Sequence, residues 1–484
     1  MTSYRQIFRS SAIIGGASAM NICISIVKVK VLAMLLGPAG VGLMGLYQNV
    51  VVVASTLAGC GMPTSGVKQV AASADEAEVL ATVRRALWFG SVVLGIAGTA
   101  ILWLLRAPVA QWVFGDTAHA SDVGWLGLGL LLTLLAGSQT ALLQGLRRIE
   151  DLARVSILSA LVGAMVGITA IYLLENDGVL WFVLAAPAVN FLVVSTYAAR
   201  LPRPRGPSEL AGIRSQWLAM LKLGIPFMAS GLLMSITQLA MRSLVLRDLG
   251  LDASGHFQAA WAISMTYLVF VLNAMVMDYY PRLSAAIHDR EQASRLINEQ
   301  SEMALLMAGP LLMAMITLAP WVIHLLYAEG FEPAAEMLRW QMLGDILKVA
   351  TTPIVFTFLA AGRGGAYIGI QLTWSAVYLG SFVLGVPEVG LVMAGVSFGI
   401  AYLFLYAAVA IVTKRMIGFK PTRRNRYVAL CLLLAGGGTI VSGAWSEPAG
   451  YVMGALVTLV VSLYSWRRLN HLTDMTGWLR RKLL

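Results

Sequence analysis

Long apolar runs alternate with short charged or Pro/Gly-rich breaks along the whole chain. A helix that crosses hydrocarbon needs roughly 20 apolar residues. The runs divide into fourteen segments of that kind, near 10–36, 42–66, 84–105, 123–145, 153–174, 178–199, 217–247, 255–280, 301–327, 337–361, 366–385, 389–413, 427–444 and 449–466. Unpaired backbone groups are not tolerated in lipid, so each segment is read as a helix and not a strand. The pattern predicts an all-α polytopic membrane protein of about 14 transmembrane helices. Residues 281–300 are polar enough for a surface helix. The run Leu201-Pro202-Arg203-Pro204-Arg205-Gly206-Pro207 is stiff and basic, as suits a linker.

Composition narrows the class. Of 484 residues, 58% are hydrophobic and 12% charged, against about 45–50% and about 25% in a soluble chain. That excludes disorder and argues against a soluble two-domain enzyme. The net charge of +11 does not point to nucleic acid, because the charges are sorted by loop. Of the 35 Lys and Arg, 27 lie in alternate loops and at the two termini, and only Arg106, Arg247 and Arg339 fall at the opposite helix ends. By the positive-inside rule both termini are cytoplasmic, and the basic faces favour anionic membrane lipids. Cys23, Cys60 and Cys431 lie singly in apolar stretches, too scattered for a disulfide framework or a thiolate metal site. Arg5 and Arg9 precede an apolar stretch too long for a signal core, so the first helix is expected to stay in the membrane.

The chain also resembles itself. Leu36-Gly37 and Gly42 recur 213 residues later as Leu249-Gly250 and Gly255. Ala107-Pro108 recurs as Ala319-Pro320, Gly145 as Gly362, and Pro63 as Pro281. Shared order at a near-constant offset indicates duplication. The expected organisation is an N-terminal six-helix lobe (1–200), a cytoplasmic linker (201–214), a C-terminal six-helix lobe (215–415), and two additional helices with a basic tail (416–484). Six spans per unit enter the membrane in the same sense, so the two bundles would be related by a pseudo-two-fold axis along the membrane normal, around a central cleft.

Charge inside the predicted spans is the main chemical signal. A cation at the bilayer centre costs roughly 2.5–3.5 kcal/mol, so such groups usually face a polar interior. Lys28, Lys30, Lys222, Arg242 and Lys348 are the five. Lys222 is near a helix end and can snorkel. Lys30, Arg242, Lys348 and Lys28 are candidate anion-binding groups, since ammonium and guanidinium both suit phosphate oxygens. Gln238, Gln48, Asn49, Asn21 and Asn273 are their candidate polar neighbours. Asp345 and Asp278 are acids within spans, each readable as a proton carrier or as an ion-paired carboxylate. Asp345 lies three residues before Lys348, so an internal salt bridge is the competing reading of that pair. His256 and His324 at helix ends are given no role. No P-loop, HExxH, GxSxG or Asp-rich pair occurs, so no catalytic residue, metal site or cofactor is proposed.

Several stretches resemble a known family. They are Leu36-Gly37-Pro38-Ala39-Gly40-Val41-Gly42-Leu43, Leu57-Ala58-Gly59-Cys60-Gly61 with Gly66-Val67-Lys68, Met241-Arg242, and Trp340-Gln341-Met342-Leu343-Gly344-Asp345-Ile346-Leu347-Lys348-Val349. Together they resemble the Wzx polysaccharide translocases of the multidrug/oligosaccharidyl-lipid/polysaccharide flippase superfamily, most closely the WzxE-type lipid III flippases. The resemblance implies a non-enzymatic transporter of the bacterial inner membrane. Its substrate would be an undecaprenyl-pyrophosphate-linked oligosaccharide, from O-antigen, enterobacterial-common-antigen-like or exopolysaccharide synthesis. A polysaccharide polymerase and chain-length proteins would be further partners. Lys30, Arg242, Asp345 and Lys348 match the family pattern; Lys28 does not, and the last two helices depart from the twelve-span members. Two rivals stay open: a cation-coupled multidrug exporter, which should line its cavity with acids, and a membrane glycan polymerase or ligase, which should carry a large outer loop.

Overall fold

A computed structural model describes residues 3–174, 177–202 and 210–473; side chains are described outside 1–12, 14, 210, 230, 267–271 and 273–277. The elements are helices α1 (Ser3–Gly59), α2 (Met62–Ala72), α3 (Ala77–Leu104), α4 (Arg106–Phe114), α5 (Ala120–Gly145), α6 (Ile149–Leu174), α7 (Gly178–Ala199) and α8 (Leu210–Leu249). They continue as α9 (Leu251–Ala286), α10 (Arg290–Leu326), α11 (Pro333–Ala360), α12 (Gly364–Val389), α13 (Val392–Ile417), α14 (Arg423–Trp445) and α15 (Glu447–Thr473). Thirteen of the fourteen predicted stretches fall, to within a few residues, on one of these helices; 42–66 runs past the end of α1 at Gly59 into α2.

By length and apolarity alone, eleven helices among the described residues can cross a membrane, and a twelfth if the two limbs of α8, bent by 43°, are one span. This is fewer than the fourteen predicted, and α1 accounts for one of the missing spans. Its 57 residues at about 1.5 Å each would reach about 85 Å, against a hydrocarbon core of about 30 Å. The helix breaks at Gly37 (φ 61°, ψ −172°). Pro38 disfavours helical ψ in the residue before it and lacks the N–H for the ladder. Gly accepts the resulting left-handed φ without a Cβ clash. One helix thus carries two predicted stretches, joined by a kink where a loop was expected. Two short helices, α2 and α4, were not predicted. The separate surface helix expected over 281–300 is also absent: 281–286 close α9 and 290–300 open α10. Asp289 makes the corner, its Oδ1 accepting from the Glu291 and Gln292 N–H groups at 3.0 Å.

The described residues form two compact units: those up to Gly255 with Leu326–Ala328, and those from His256 to Leu325 and from Glu329 onward. In the first unit α5 packs on α3 and α7, α6 on α7, and α8 lies along α1, α2 and α3. Val70, Val83, Leu87, Leu143, Val194 and Met220 from five of these helices meet in one buried cluster. Helix α8, which the duplication assigns to the second repeat, is packed here. Residues 203–209 of the predicted linker lie outside the described residues, and 210–214 are the first turn of α8.

The two repeat-related glycines touch. A Cβ on Gly42 would stand 2.6 Å from the Leu251 carbonyl oxygen and 2.7 Å from the Gly255 nitrogen, while one on Gly255 would strike the Pro38 carbonyl. Small residues let membrane helices approach this closely. The structure also shifts one repeat match. The turn after α5 closes with Arg147 N–H on Gln144 O and Arg148 N–H on Leu143 O; the turn after α11 closes with Gly362 N–H on Leu359 O and Arg363 N–H on Phe358 O. The hydrogen bonds therefore equate Arg147, not Gly145, with Gly362. Both residues have positive φ, 54° and 66°. Glycine is the usual occupant of that position, so Arg147 holds a conformation costing an L-residue about 1 kcal/mol.

In the second unit α11 is the buried centre, packed on α13, which packs in turn on α12. The two C-terminal helices pair with each other, and α14 also contacts α11. Glu302 of α10 accepts from Arg468 Nε (2.8 Å) and Arg424 Nη1 (3.3 Å), tying α15 and α14 to the bundle. Asn425 Nδ2 donates to the Asn298 carbonyl at 2.8 Å, which adds a second tie.

Overpacking a close crossing costs typically about 1–3 kcal/mol. Gly42→Ala and Gly255→Ala are each expected to lower the melting temperature of the detergent-purified protein, with the double variant no worse than the sum. A melting curve unchanged in both would remove the crossing as a determinant of stability.

Candidate functional site

The deep cations fall into two groups, one in each unit. In the first unit Arg242 sits on α8, only 6% exposed. Its Nη1 donates to the Gly45 carbonyl at 2.8 Å, on the limb of α1 beyond the kink. The Asn49 amide, turned so that its oxygen faces the guanidinium, accepts from Nη1 at 3.0 Å and Nε at 3.3 Å. Gly45 and Asn49 are one helical turn apart, so both oxygens face the same fork of donors. Gln238, one turn before Arg242, and Gln48, beside Asn49, are half-buried. Ser243, the residue after Arg242, donates through Oγ to the Val113 (2.7 Å) and Trp112 (3.0 Å) carbonyls. Arg247 donates to the Trp112 carbonyl at 2.6 Å and also to that of Gln111. Those carbonyls lie in the last turns of α4, where helix termini leave acceptors open, and that of Gln111 also takes the Gly115 N–H at 3.1 Å.

Lys30, on the first limb of α1, donates to the Tyr327 carbonyl just past the end of α10, a residue that packs within this unit. Cations at helix C-termini are favoured by the backbone dipole as well as by the hydrogen bond. Lys28 is half-buried two residues earlier. Asn21 stands apart from Arg242: its Nδ2 donates to Ser156 Oγ on α6 at 2.6 Å. Between Gly45 and Asn49 on the second limb of α1, the buried Tyr47 donates to Asp122 and lies 3.1 Å from His119 Nδ1, a cluster not expected from the sequence.

In the second unit Asp345 and Lys348 on α11 come together. Lys348 Nζ lies 3.8 Å from Asp345 Oδ1, with side-chain exposures of 12% and 0%. Ser264 Oγ of α9 donates to Asp345 Oδ2 at 2.6 Å. Lys348 Nζ is also 3.5 Å from Met265 Sδ and 5.7 Å from the centre of the Phe398 ring. Phe398 of α13 is edge-on to Trp261, Trp374 and Tyr378. Phe398 thus joins the Lys348 ammonium to an aromatic cluster. Gln341, one turn before Asp345 and 1% exposed, has both amide atoms without a hydrogen-bond partner, as has Trp374 Nε1. These atoms keep capacity for further hydrogen bonds in a buried site, where an unmet one is costly. Ser264 and Trp374 were not singled out from the sequence, and Gln341 only within the stretch Trp340–Val349, without a role; the spacing of four between Gln341 and Asp345 was the available signal.

Asp278 is elsewhere. Its side chain is 75% exposed and paired with Arg282 at 3.0 Å, four residues on along α9. It therefore behaves as half of a helix-surface ion pair. The side chain of Asn273 lies outside the described residues.

Residues 31–336 match the family model described as polysaccharide biosynthesis protein. The chain is 27% identical over 342 residues to the lipid III flippase of Escherichia coli (strain K12), covering 69% of this chain and 80% of that one. It is 23% identical over 402 residues to the succinoglycan biosynthesis transport protein ExoT of Rhizobium meliloti (strain 1021), covering 81% and 76%. Its fold is similar to that of the lipid II flippase MurJ in an inward closed conformation, with a TM-score of 0.67 at 12% identity, covering 96% of this chain and 99% of that one.

Removing one member of a buried ion pair leaves an uncompensated charge and costs about 3–5 kcal/mol, whereas replacing both by apolar or neutral groups is often near neutral. Asp345→Asn and Lys348→Met are each expected to destabilise the protein strongly, with Asp345→Asn/Lys348→Met recovering most of the loss. Additive losses in that thermal-melt cycle would show that the two side chains do not interact.

Proposed function

The chain belongs to the polysaccharide biosynthesis protein family and is a multi-pass membrane protein, and from that premise we propose that it is a flippase for a lipid-linked oligosaccharide. The substrate in this reading is an undecaprenyl-pyrophosphate-linked unit of O-antigen, enterobacterial-common-antigen-like or exopolysaccharide type, moved across the bacterial inner membrane by alternating access. Both termini are cytoplasmic in the same reading. The supporting relatives are named as a lipid III flippase and a succinoglycan transport protein.

The structural observation that carries the proposal is the set of cations kept at depth in both units. A diphosphate is the part of such a substrate most costly to bring into hydrocarbon, and fixed cations offset that cost. Lys30, Arg242 and Lys348 act on it, in this reading, with Gln238, Gln48 and Asn49 as hydroxyl or phosphate partners. Lys28 and Asn273 are secondary members of that set. Arg242 already has its fork engaged by Gly45 and Asn49. Its contribution is therefore a fixed positive potential, with direct contact requiring exchange of one of those bonds. Asp345, held against Lys348, is available for coupling only when that pair opens. A cation-coupled exporter would be better served by an unpaired acid, and the pairing of Asp345 weighs against it.

Complementation of a flippase-deficient strain tests the function and the residues together. The wild type is expected to restore surface glycan. Arg242→Ala and Lys348→Ala, at matched protein levels, are expected to lower it by about tenfold or more, and Lys348→Arg to retain most of it. Full glycan export by both alanine variants would sink the role of these cations, and no export by the wild type in any glycan background would sink the flippase reading.

A further inference from the structure

A second polar feature of the first unit lies away from Arg242. A cavity of about 370 Å³ opens between the first limb of α1, the end of α5 and the start of α6. Ser18, Asn21, Gln144, Arg147 and Ser156 supply its polar lining, and Leu152 is among its apolar residues. We propose that this groove binds the phosphate and neighbouring hydroxyl groups of a lipid headgroup, with Arg147 as the cation that contacts the phosphate.

Three observations carry this assignment. The first is conformational. Arg147 occupies the left-handed position that closes the helix, with φ 54°, while the hydrogen-bond-equivalent residue of the second repeat is Gly362. The duplicated turn therefore works with glycine, and an arginine there is not demanded by the backbone. The second is charge. Arg148 and Arg154 already supply positive charge to this turn, and Glu150 and Asp151 lie 3.7 Å from Arg154. A further cation in a strained conformation therefore calls for a reason other than loop basicity. The third is an unmet hydrogen bond. Asn21 Nδ2 donates to Ser156 Oγ, but Asn21 Oδ1 is buried without a partner. An acceptor of that kind is satisfied by a hydroxyl donor, and the guanidinium offers a fork for phosphate oxygens. Phosphate beside hydroxyls is the headgroup chemistry of a phosphatidylglycerol and of a polyprenyl diphosphate sugar alike.

The binding chemistry stands independently of transport; only the choice of the carried lipid as occupant rests on the flippase reading. In that case the groove would hold the headgroup before translocation. The test is lipid binding by the purified full-length protein, read by native mass spectrometry from phosphatidylethanolamine vesicles doped with phosphatidylglycerol or with undecaprenyl diphosphate. Arg147→Gly is expected to keep or raise the melting temperature, because glycine relieves the positive φ. The same change should weaken binding of at least one of the two lipids by about tenfold. Asn21→Ala should weaken the same lipid by a smaller factor, and Arg148→Gln should leave it within about twofold. Loss of phosphatidylglycerol alone assigns the site to bulk anionic lipid; loss of the diphosphate assigns it to the carried class. Unchanged binding of both lipids by Arg147→Gly, or an equal loss with Arg148→Gln, overturns the site. Because no transport is measured, failure here and failure of the flippase reading are separate results.

Discussion

A cation placed within an apolar span must find oxygen inside the same protein, and much of this structure is arranged around that requirement. Lys30 reaches the carbonyl that follows α10, Arg242 reaches Gly45 and Asn49 across a helix crossing, and Lys348 reaches the carboxylate one turn before it. Three different acceptors serve: a helix C-terminus, a carbonyl and amide on a neighbouring helix, and an acid. Each contact fixes a long side chain in one direction, so the charges are positioned as well as tolerated. The acceptors also differ in what they leave behind. A carbonyl or amide oxygen holds a guanidinium without cancelling its charge, whereas Asp345 neutralises Lys348 at close range.

These contacts depend on how closely the helices can approach. Arg242 spans from α8 to the limb of α1 beyond Gly37, and that limb starts at the crossing where Gly42 meets Gly255. The kink at Gly37 and Pro38 aims the limb, and the absence of side chains at 42 and 255 lets it close. Both features come from the Leu36-Gly37-Pro38-Ala39-Gly40-Val41-Gly42 stretch. A short sequence thus sets the position of the Gly45 and Asn49 oxygens a turn or two later. Backbone geometry comes before electrostatics here.

The sequence made the all-helical apolar architecture and the buried cations legible because each leaves a composition on the chain. Apolar runs of the right length need no tertiary information, and positive charge sorts by loop. The joins were less legible. Whether Leu36-Gly37-Pro38 makes a loop or a kink depends on the tertiary packing of both limbs, so α1 emerged as one bent helix. The polar neighbours divided in the same way. Asn49 is with Arg242, and Asp345 with Lys348, because spacing along one helix or direct crossing links them. Asn21 and Asp278 are paired elsewhere, with Ser156 and Arg282, since depth in a span says nothing about the direction in which a side chain points. Gln341 and Ser264 were given no role because a neutral polar residue in a span is common, and only tertiary structure shows the first buried without a side-chain partner and the second bonded to Asp345.

The two turns that close alike, after α5 and after α11, supply an internal comparison. The hydrogen bonds that close α5 and α11 are the same set, so both turns meet the same backbone requirement. Glycine at 362 satisfies that requirement at no steric cost. Arginine at 147 satisfies it only with strain, which leaves the side chain and not the backbone as the reason for the residue. The same comparison explains why Arg148 and Arg363, one step further on, carry less information: both repeats have a cation there, at an interfacial helix end where a cation is ordinary. Departures from the repeat, and not its agreements, therefore separate what the fold demands from what a ligand demands. On that criterion Arg147 stands apart from the other loop arginines, and it does so independently of the deep cations, since its position relative to the backbone, and not its depth, singles it out.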